Sequence, residues 1–280
     1  MPKSLFAQNA NERINAMYPQ GGPGRYLKNR LKNGDLLIGA TLTEYARPSL
    51  IKIYQQAGFD FVYIEYEHAY FDMTRFSDTV LSARDNGLPV IAKTPDLERQ
   101  EVAKLLESGV VGIQLPRTEH KHQVEELLSY IKYPPSGTRA AASGYGNSDY
   151  LKPTHRSQWL KDQNDETTLV VHIETNLGCE NAEEIINVPG VDMVYIGLGD
   201  LSIEMGYPDD KNHPAIVEMM SHLLNLCKKK NIPMGTTSSD TTQARFWIER
   251  GVKFFEGPHE MEFIKESSSN FVESYRRIED

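Results

Sequence analysis

The chain has 280 residues, of which 39% are hydrophobic and 25% are charged, and its formal net charge at pH 7 is -9. This acidic balance, with no dense Lys/Arg stripe beyond the short run Lys228–Lys230, disfavours a nucleic-acid partner. Two cysteines, Cys179 and Cys227, are too few for a disulfide framework or a Cys-based zinc site. No apolar run approaches the ~20 residues that a membrane helix needs, and the N-terminus lacks the apolar core of a secretory signal, so we expect a cytoplasmic protein.

The N-terminal segment differs in composition from the rest of the chain. Residues 1–26 are polar and end in the Pro- and Gly-rich stretch "YPQGGPGR". Because Pro and Gly interrupt regular structure, we interpret this segment as an N-terminal extension. We expect residues 27–280 to form one domain that ends in a C-terminal helix.

From residue 36 onward, short β-branched or aromatic runs alternate with longer amphipathic segments, which is typical of repeated βα units. Eight such runs predict a closed α/β structure, a (β/α)8 TIM barrel. The one irregular interval, residues 133–165, is rich in Gly, Ser and Pro and is interpreted as a long loop over one mouth of the barrel. The predicted strands are Leu36–Thr43, Phe61–Tyr66, Pro89–Thr94, Gly112–Pro116, Thr168–Thr175, Met193–Leu198, Pro233–Ser238 and Lys253–Pro258.

Polar side chains gather at the carboxyl ends of these predicted strands, where barrel enzymes place their active sites. Each residue alone is weak evidence, but together they predict a pocket lined with acids and bases. The set is Glu65, Glu67, His68, Lys93, Gln114, Arg117, His172, Glu174 and Asp200.

Glu174 and Asp200 follow neighbouring predicted strands, so their carboxylates are expected at the same height. Hard divalent ions such as Mg²⁺ or Mn²⁺ prefer oxygen ligands of this kind. The alternative is structural: Glu174 forms a buried ion pair with Lys93 or Arg139, and Asp200 caps a helix that begins at residue 201. The spacing leaves both interpretations open.

His68 is a candidate general base, because a neutral imidazole accepts a proton near pH 7. Glu65 or Glu67 could orient it, and the alternative is a histidine that merely caps a loop. The stretch "GLGDLS" at residues 197–202 places glycines before a helix start, whose backbone N–H groups could hold a carboxylate.

Several stretches resemble, in order and spacing, the HpcH/HpaI family of metal-dependent pyruvate aldolases. The resemblance runs from about residue 27 to residue 260 and combines "EH" with "IET" and "GxxDLS". The stretches that carry it are "AGFDFVYIEYEHAYFD", "LLESGVVGIQLPRTEH", "YPPSGTRA", "HIET" and "VDMVYIGLGDLSIEMGYP".

The resemblance implies a class II aldolase that cleaves or forms a carbon–carbon bond of a 4-hydroxy-2-oxo acid, with an aldehyde as the second partner. A divalent ion (Mg²⁺, Mn²⁺ or Co²⁺) on the keto oxygen would stabilise the pyruvate-type enolate. It also implies a homo-oligomer, often a trimer of dimers that exchange their C-terminal helices. The implied roles are metal binding by Glu174 and Asp200, catalysis by His68, Lys93 and Glu65, and substrate binding by Lys93, His172, Leu198, Gly199 and Asp200.

The sequence departs from the family pattern at four places around the expected pocket. Lys93 stands where the family usually has Arg, and it keeps the charge but loses the planar fork. Residues 65–68 read Glu-Tyr-Glu-His instead of Asp-Gly-Glu-His, which inserts the ring of Tyr66. His172 replaces the usual Gln, and residues 197–200 read Gly-Leu-Gly-Asp instead of Gly-Pro-x-Asp.

Three alternatives follow from the residues. Lys93 could form a Schiff base with a ketone in a metal-free aldolase. The pocket substitutions also fit a related 2-oxo acid enzyme, such as an oxaloacetate-type decarboxylase or a carbon–carbon bond-forming enzyme of specialised metabolism. The third is a non-enzymatic barrel that binds a metabolite.

Overall fold

In the computed structural model, eight parallel strands close into a barrel in chain order, β1 beside β2 and so on until β8 pairs with β1. The structure describes residues 17–18, 21–238 and 240–278. Within these residues the strands are β1 Leu37–Leu42, β2 Phe61–Glu65, β3 Val90–Lys93, β4 Gly112–Leu115, β5 Thr168–Ile173, β6 Met193–Ile196, β7 Met234–Thr236 and β8 Phe254–His259. Each overlaps one of the eight predicted runs, so the predicted barrel is confirmed.

Helices connect the strands and surround the barrel. In the described part of the chain they are α1 Pro23–Lys32, α2 Pro48–Ala57, α3 Met73–Asp85, α4 Arg99–Ser108, α5 Lys121–Ile131, α6 Arg156–Glu166, α7 Asn176–Glu180, α8 Ala182–Ile186, α9 Leu198–Glu204, α10 Pro214–Lys230, α11 Thr241–Arg250 and α12 Glu260–Arg276. Helices α2 and α4 end at Gly58 (φ 91°) and Gly109 (φ 111°), because a glycine adopts the left-handed turn that leads into the next strand without steric cost. Each described helix is too short or too polar to cross a lipid bilayer.

The barrel interior is filled by large side chains set against glycines. A Cβ atom on Gly39 would lie 2.3 Å from the ring of Phe61, and one on Gly235 would lie 2.3 Å from the ring of Phe254. Large residues on one strand therefore require small ones on its neighbour, which fixes how the interior layers interdigitate. Two residues of α1, Leu27 and Leu31, join this inner cluster and close the amino-terminal end of the barrel.

The structure adds two features to the predicted organisation. Most of helix α6 lies in the interval 133–165 that the sequence predicts as a loop, and a short 3₁₀ helix, Gly146–Ser148, precedes it. Helix α1 begins at Pro23, within the predicted extension, although most of that extension lies outside the described residues. The outward faces of the strands and the inward faces of the helices form the main hydrophobic core.

Candidate active site

The carboxyl ends of the strands carry the candidate active site. Glu65 and Lys93 end β2 and β3 at paired positions of the sheet, and Glu174 follows directly after β5. Helix α9 starts two residues after β6 and brings Gly199 and Asp200 to the same end. A parallel barrel brings these points together because all its strands run in one direction.

Lys93 is buried and paired with two glutamates. Its Nζ lies 2.6 Å from Glu67 Oε2 and 3.4 Å from Glu65 Oε2, and its side chain is 5% exposed. Burial alone would lower the pKa of Lys93, but Glu65, Glu174 and Glu67 outweigh it and raise the pKa above its ordinary value. Lys93 therefore stays a cation at neutral pH.

His68 lies at the rim of the barrel with its side chain 71% exposed. Its Nε2 is 3.5 Å from Glu67 Oε2, so Glu67 is the carboxylate that faces the imidazole. Glu65, which the sequence predicted as a catalytic partner, instead accepts the backbone N–H groups of Glu67 (3.0 Å) and His68 (3.4 Å). Glu65 thereby holds the loop that carries the histidine.

Glu174 is buried, with its two oxygens in different contacts. Oε1 accepts the backbone N–H of Arg117 at 2.8 Å, and Oε2 lies 3.1 Å from His172 Nε2. Burial raises the pKa of the Glu174 carboxyl to about 7, and the charges of Asp200 and Glu67 act in the same direction. Lys93 and the Arg117 N–H oppose this shift, because each favours the ionised carboxylate.

His172 lies inside the barrel, beneath Glu174. Its Nδ1 is 3.4 Å from the side-chain nitrogen of Gln114, which in turn donates to Tyr63 Oη at 3.3 Å. Burial, followed by the charge of Lys93, lowers the pKa of His172 well below its ordinary value, so the ring is neutral. Its Nε2 lies 3.1 Å from Glu174 Oε2, in a contact that lacks the geometry of a hydrogen bond.

Gly197 permits this arrangement. A Cβ atom at this position would lie 2.3 Å from His172 Nε2 and 2.9 Å from Glu174 Oε2. Its φ of -79° is open to any residue, so the requirement for glycine is space alone. No comparable restriction exists at Gly199, where a Cβ atom would meet nothing within 4 Å.

The donor set fits a divalent metal ion at Glu174 and Asp200. Two carboxylates near each other at a partly desolvated site repel, and here the charge of Asp200 raises the pKa of Glu174. A hard cation would offset that repulsion with the oxygen ligands it prefers. A second group, Glu65, Glu67 and His68, also brings ligand atoms within 4.8 Å of one another, but the ammonium of Lys93 already lies against both of its carboxylates.

Two structural alternatives drawn from the sequence are wrong, and one departure from the family pattern does not reach the pocket. Arg139 does not pair with Glu174, because it lies at the amino-terminal end of the barrel, among residues that precede β4 and β5. Asp200 is not a helix cap, because α9 begins at Leu198 with Gly197 as its cap residue. The ring of Tyr66 does not enter the pocket and instead packs against Phe71 and Phe76, with centroids 6.1 and 5.2 Å away.

The residues that the sequence predicts to bind substrate differ in their exposure: some lie at the mouth and others are buried. Gly199 and Asp200 lie at the open mouth, whereas the side chain of Leu198 is buried in the main core and offers only its backbone. His172 is buried too, with its nitrogens directed to Gln114 and Glu174. His172 therefore does not reach the mouth itself, and Glu174 lies between its ring and the mouth.

Sequence reasoning missed two parts of the site. The backbone N–H of Arg117 holds Glu174, and Arg117 has a φ of 43°, an uncommon value for a non-glycine residue. Glu256 on β8 is buried inside the barrel beside Tyr195 and Gln114, and burial raises its pKa well above the ordinary range. A charged residue within the apolar run "KFFEGP" was the available signal for Glu256, whereas no pattern marks the Arg117 N–H.

Comparison with known proteins agrees with this architecture. The sequence profile of the HpcH/HpaI aldolase/citrate lyase family matches residues 43–262. A hydroxypyruvate/pyruvate aldolase of Roseovarius nubinhibens is 26% identical over 232 residues, covering 83% of this chain and 89% of that protein. A 5-keto-4-deoxy-D-glucarate aldolase of Shigella sonnei is 22% identical, covering 83% of this chain and 90% of that protein.

The fold also matches a solved structure. The HpcH/HpaI aldolase from Desulfitobacterium hafniense superposes with a TM-score of 0.85 at 25% identity, covering 89% of this chain and 96% of that one. Because the profile match spans most of the chain, including every strand after β1, it settles the family and favours an enzyme over a non-enzymatic barrel. The chain belongs to the HpcH/HpaI aldolase/citrate lyase family and is, like the aldolases named above, a carbon–carbon lyase.

Proposed function

We propose that this chain is a class II aldolase, dependent on a divalent metal, that cleaves or forms a carbon–carbon bond of a 4-hydroxy-2-oxo acid. The observation that carries the proposal is the buried carboxylate of Glu174, held by the Arg117 N–H at the mouth of the barrel and repelled by Asp200. The names of the two relatives, a pyruvate aldolase and a keto-deoxy-glucarate aldolase, support the substrate class.

Glu174 and Asp200 would hold the metal, which we propose to be Mg²⁺, Mn²⁺ or Co²⁺. When bound, such an ion supplies Lewis-acid stabilisation of the negative oxygen of an enolate. The chain prepares Glu174 for this role, because the Arg117 N–H holds one oxygen of its carboxylate and the ring of His172 lies against the other. Partners that orient a ligand in this way raise metal affinity.

His68 would act as the general base. It would remove the proton from the 4-hydroxyl group, after which the carbon–carbon bond breaks, the aldehyde leaves and the electrons remain on pyruvate enolate. Glu67, 3.5 Å from His68 Nε2, would stabilise the imidazolium that forms. Lys93 would hold Glu67 in place from the other side, at 2.6 Å.

The carboxylate of the substrate would bind at the start of α9. The first turn of this helix presents backbone N–H groups at Leu198, Gly199 and Asp200 that lack intrahelical acceptors. Lys93 adds a positive charge close enough to lower the pKa of Glu174. Both features favour an anionic 2-oxo acid at the mouth.

The charge state of Lys93 argues against the Schiff-base alternative. A lysine must lose its proton before it attacks a ketone, and Glu65, Glu174 and Glu67 hold Lys93 in the protonated form. Its Nζ is also enclosed by two carboxylates. The structure therefore favours the metal-dependent mechanism.

The proposal is tested with the purified full-length chain. Pyruvate release from a 4-hydroxy-2-oxo acid is measured before EDTA treatment, after it, and after Mg²⁺, Mn²⁺ or Co²⁺ is added back. We expect activity to disappear with EDTA and to return with a metal, and borohydride in the presence of pyruvate to leave the enzyme active. Inactivation by borohydride combined with resistance to EDTA would reject this mechanism.

A second candidate is a related 2-oxo acid enzyme, either an oxaloacetate-type decarboxylase or a carbon–carbon bond-forming enzyme. The observation that favours it is the pairing of Lys93 with Glu65 and Glu67. Because two carboxylates already neutralise this ammonium, it attracts a substrate anion less strongly than an unpaired guanidinium would. A substrate panel separates the two candidates. Turnover of oxaloacetate without aldol cleavage would select the second.

We also propose that the chain forms a homo-oligomer, as a hexamer built from three dimers. Helix α12 supports this, because Glu260 is its one buried residue in the described part of the chain. Its exposed apolar side chains are Ile264, Phe271, Val272, Tyr275 and, just beyond the helix, Ile278. Sedimentation equilibrium of the full chain tests the proposal, and a monomer at micromolar concentration would reject it.

A further inference from the structure

A second cavity lies at the opposite end of the barrel from the candidate active site. It measures about 620 Å³ and is bordered by residues 21–25 at the start of α1, residues 147–155 and helix α6. Its floor includes Val110, Val111 and Thr167, which precede β4 and β5 at their amino ends. Strands rise ~3.3 Å per residue, so this floor is on the order of 15 Å from the mouth that carries Glu174.

The cavity is lined by a buried arginine that has no acidic partner. Arg139 is 4% exposed, and its Nη2 has no hydrogen-bond partner. It forms no ion pair with any residue that the structure describes. Burial lowers the pKa of its guanidinium, and the opposing influences of Tyr133 and Glu107 are smaller. A buried, unpaired charge is costly, so its presence calls for a partner.

The position of Arg139 is fixed by its surroundings. Its backbone N–H donates to the carbonyl of Lys132 at 3.0 Å, and its guanidinium lies over the ring of Tyr133, 4.6 Å from the centroid. Tyr133 is fully buried, and Asn164 of α6 binds both its backbone N–H (2.7 Å) and its carbonyl (3.2 Å). The guanidinium is therefore held in place before any ligand arrives, which lowers the entropic cost of binding.

The acidic residues around the cavity are engaged elsewhere. Both oxygens of Asp149 accept from Arg84, each at 3.1 Å. Glu166 accepts the N–H groups of Gly22 and Gly24 and lies 2.6 Å from Arg25 Nε. These carboxylates already have cationic or amide donors, so they leave the charge of Arg139 uncompensated.

One buried acceptor in the cavity wall also lacks a partner. The side-chain nitrogen of Asn147 donates to the carbonyl of Ala142 at 3.1 Å, which directs Oδ1 the other way. That oxygen is buried without a hydrogen-bond donor. Arg139 and Asn147 thus each place in the cavity wall a buried polar group without a hydrogen-bond partner.

We propose that this cavity is a binding site for a small anionic metabolite that carries a hydroxyl group, separate from the candidate active site. The anion, a carboxylate or a phosphate, pairs with Arg139, and the hydroxyl donates to Asn147. A guanidinium matches the geometry of either oxyanion through two parallel hydrogen bonds. The volume lies within the range of roughly 300–1,000 Å³ that is usual for metabolite sites.

The test measures thermal unfolding of the full-length protein at constant ionic strength with three probes. Glycerol 3-phosphate and malate represent a phosphate and a carboxylate that carry hydroxyl groups, and methyl phosphate lacks the hydroxyl. We expect glycerol 3-phosphate, malate or both to raise the Tm saturably, as ligand binding to the folded state requires. The probe that binds identifies the anion, and no saturable rise with either probe would overturn the proposal.

Variants then locate the binding. Arg139→Met keeps the side-chain volume and removes the charge, so we expect the Tm without ligand to stay or rise and the affinity for the probe to fall at least tenfold. Arg139→Lys keeps the charge without the fork, and we expect weaker binding than in the unaltered chain. An unchanged affinity for the probe in Arg139→Met would contradict the proposal, because it would place the anion elsewhere.

Two further variants separate this site from the mouth of the barrel. In Asp200→Asn, which alters the proposed metal site, the response to the probe is expected to persist, and its loss would place binding at the mouth instead. In Asn147→Ala we expect the affinity for glycerol 3-phosphate to fall to that for methyl phosphate. Equal affinities for the two phosphates in the unaltered chain would remove Asn147 from the site and contradict the hydroxyl requirement.

Discussion

His172 Nε2 lies 3.1 Å from Glu174 Oε2, inside a barrel that buries both side chains. The imidazole is neutral, and its other nitrogen lies 3.4 Å from the side-chain nitrogen of Gln114. This relationship explains how a polar residue can occupy β5 directly before the proposed metal ligand. His172 contacts Glu174 from inside the barrel, and Glu174 is the residue that reaches the mouth.

Replacing His172 by Phe should therefore weaken metal binding without removing a ligand. The ring volume is kept, but Glu174 loses the polar neighbour that lies 3.1 Å from its Oε2, and we expect the affinity for Mn²⁺ to fall ~10–100-fold. Titration calorimetry of the full chain measures this. His222→Phe, on the exposed face of α10, is the matched control and should leave the affinity unchanged.

Replacing either proposed ligand should remove metal-dependent turnover. Glu174→Gln and Asp200→Asn keep the size of each side chain but remove the negative charge that a hard cation requires. We expect loss of measurable aldol cleavage and loss of the Tm increase that Mn²⁺ gives to the unaltered chain. If either variant retained both properties, the assignment of the metal site would be wrong.

Adding one methyl group at Gly197 should disrupt the same site by steric contact. A Cβ atom there would lie 2.3 Å from His172 Nε2, and we expect Gly197→Ala to cost about 1–3 kcal/mol of stability and to abolish metal binding. Gly199→Ala, two residues away, is the control because its Cβ atom would meet nothing within 4 Å. Chemical denaturation gives the free energy of unfolding of both variants, and Mn²⁺ titration gives their metal affinity. If the two variants had the same stability and the same affinity, the steric argument would be wrong.

Replacing His68 should affect the reaction and leave the fold intact. Its side chain is largely exposed, so His68→Asn is expected to change the stability by less than ~0.5 kcal/mol. The kcat for aldol cleavage should fall ~10²–10⁴-fold, which is the usual contribution of a general base. A variant with normal kcat would show that another group takes the proton.

The buried amine of Lys132 should make stability depend on alkaline pH. Burial lowers its pKa to about 8 from an ordinary 10.5, and its Nζ donates to the carbonyls of Asn164 and Thr167. Between about pH 8 and 10.5 the unfolded chain binds more protons at this lysine than the folded chain does, so its contribution to stability rises with pH.

The measurement compares the free energy of unfolding at pH 8 and 9.5 for the unaltered chain and for Lys132→Met. We expect the unaltered chain to gain on the order of 1 kcal/mol relative to the variant over this interval. Parallel pH profiles of the two proteins would show that Lys132 is not the titrating group.

The barrel was predictable because its determinants are local. Each strand is a short β-branched or aromatic run, and three of the helices before them end in a glycine that adopts the required left-handed turn, Gly58, Gly109 and Gly251. Polar residues at the ends of those runs then identify the mouth. Glu174, Asp200, Lys93 and His68 all lie there, as predicted.

The remaining parts depend on contacts between distant segments. Glu67 rather than Glu65 faces His68, because the side chain of Glu65 turns back to bind the loop N–H groups. Arg139 lies at the amino-terminal end because residues 137–139 fold back over the end of α5, where a Cβ atom on Gly137 would lie 2.3 Å from the carbonyl of Lys132. Neither contact has a signature in a single sequence.

The carboxylate of Glu166 ties the beginning of the chain to its middle. It accepts the N–H groups of Gly22 and Gly24 and pairs with Arg25, all of which lie well before the segment that matches the family profile. A shortened protein limited to residues 43–262 would leave the buried carboxylate of Glu166 without those donors. It would also expose the amino-terminal end of the barrel, which Leu27 and Leu31 cover. The stability of the barrel therefore depends on helix α1, which lies outside the part of the chain that the family profile covers.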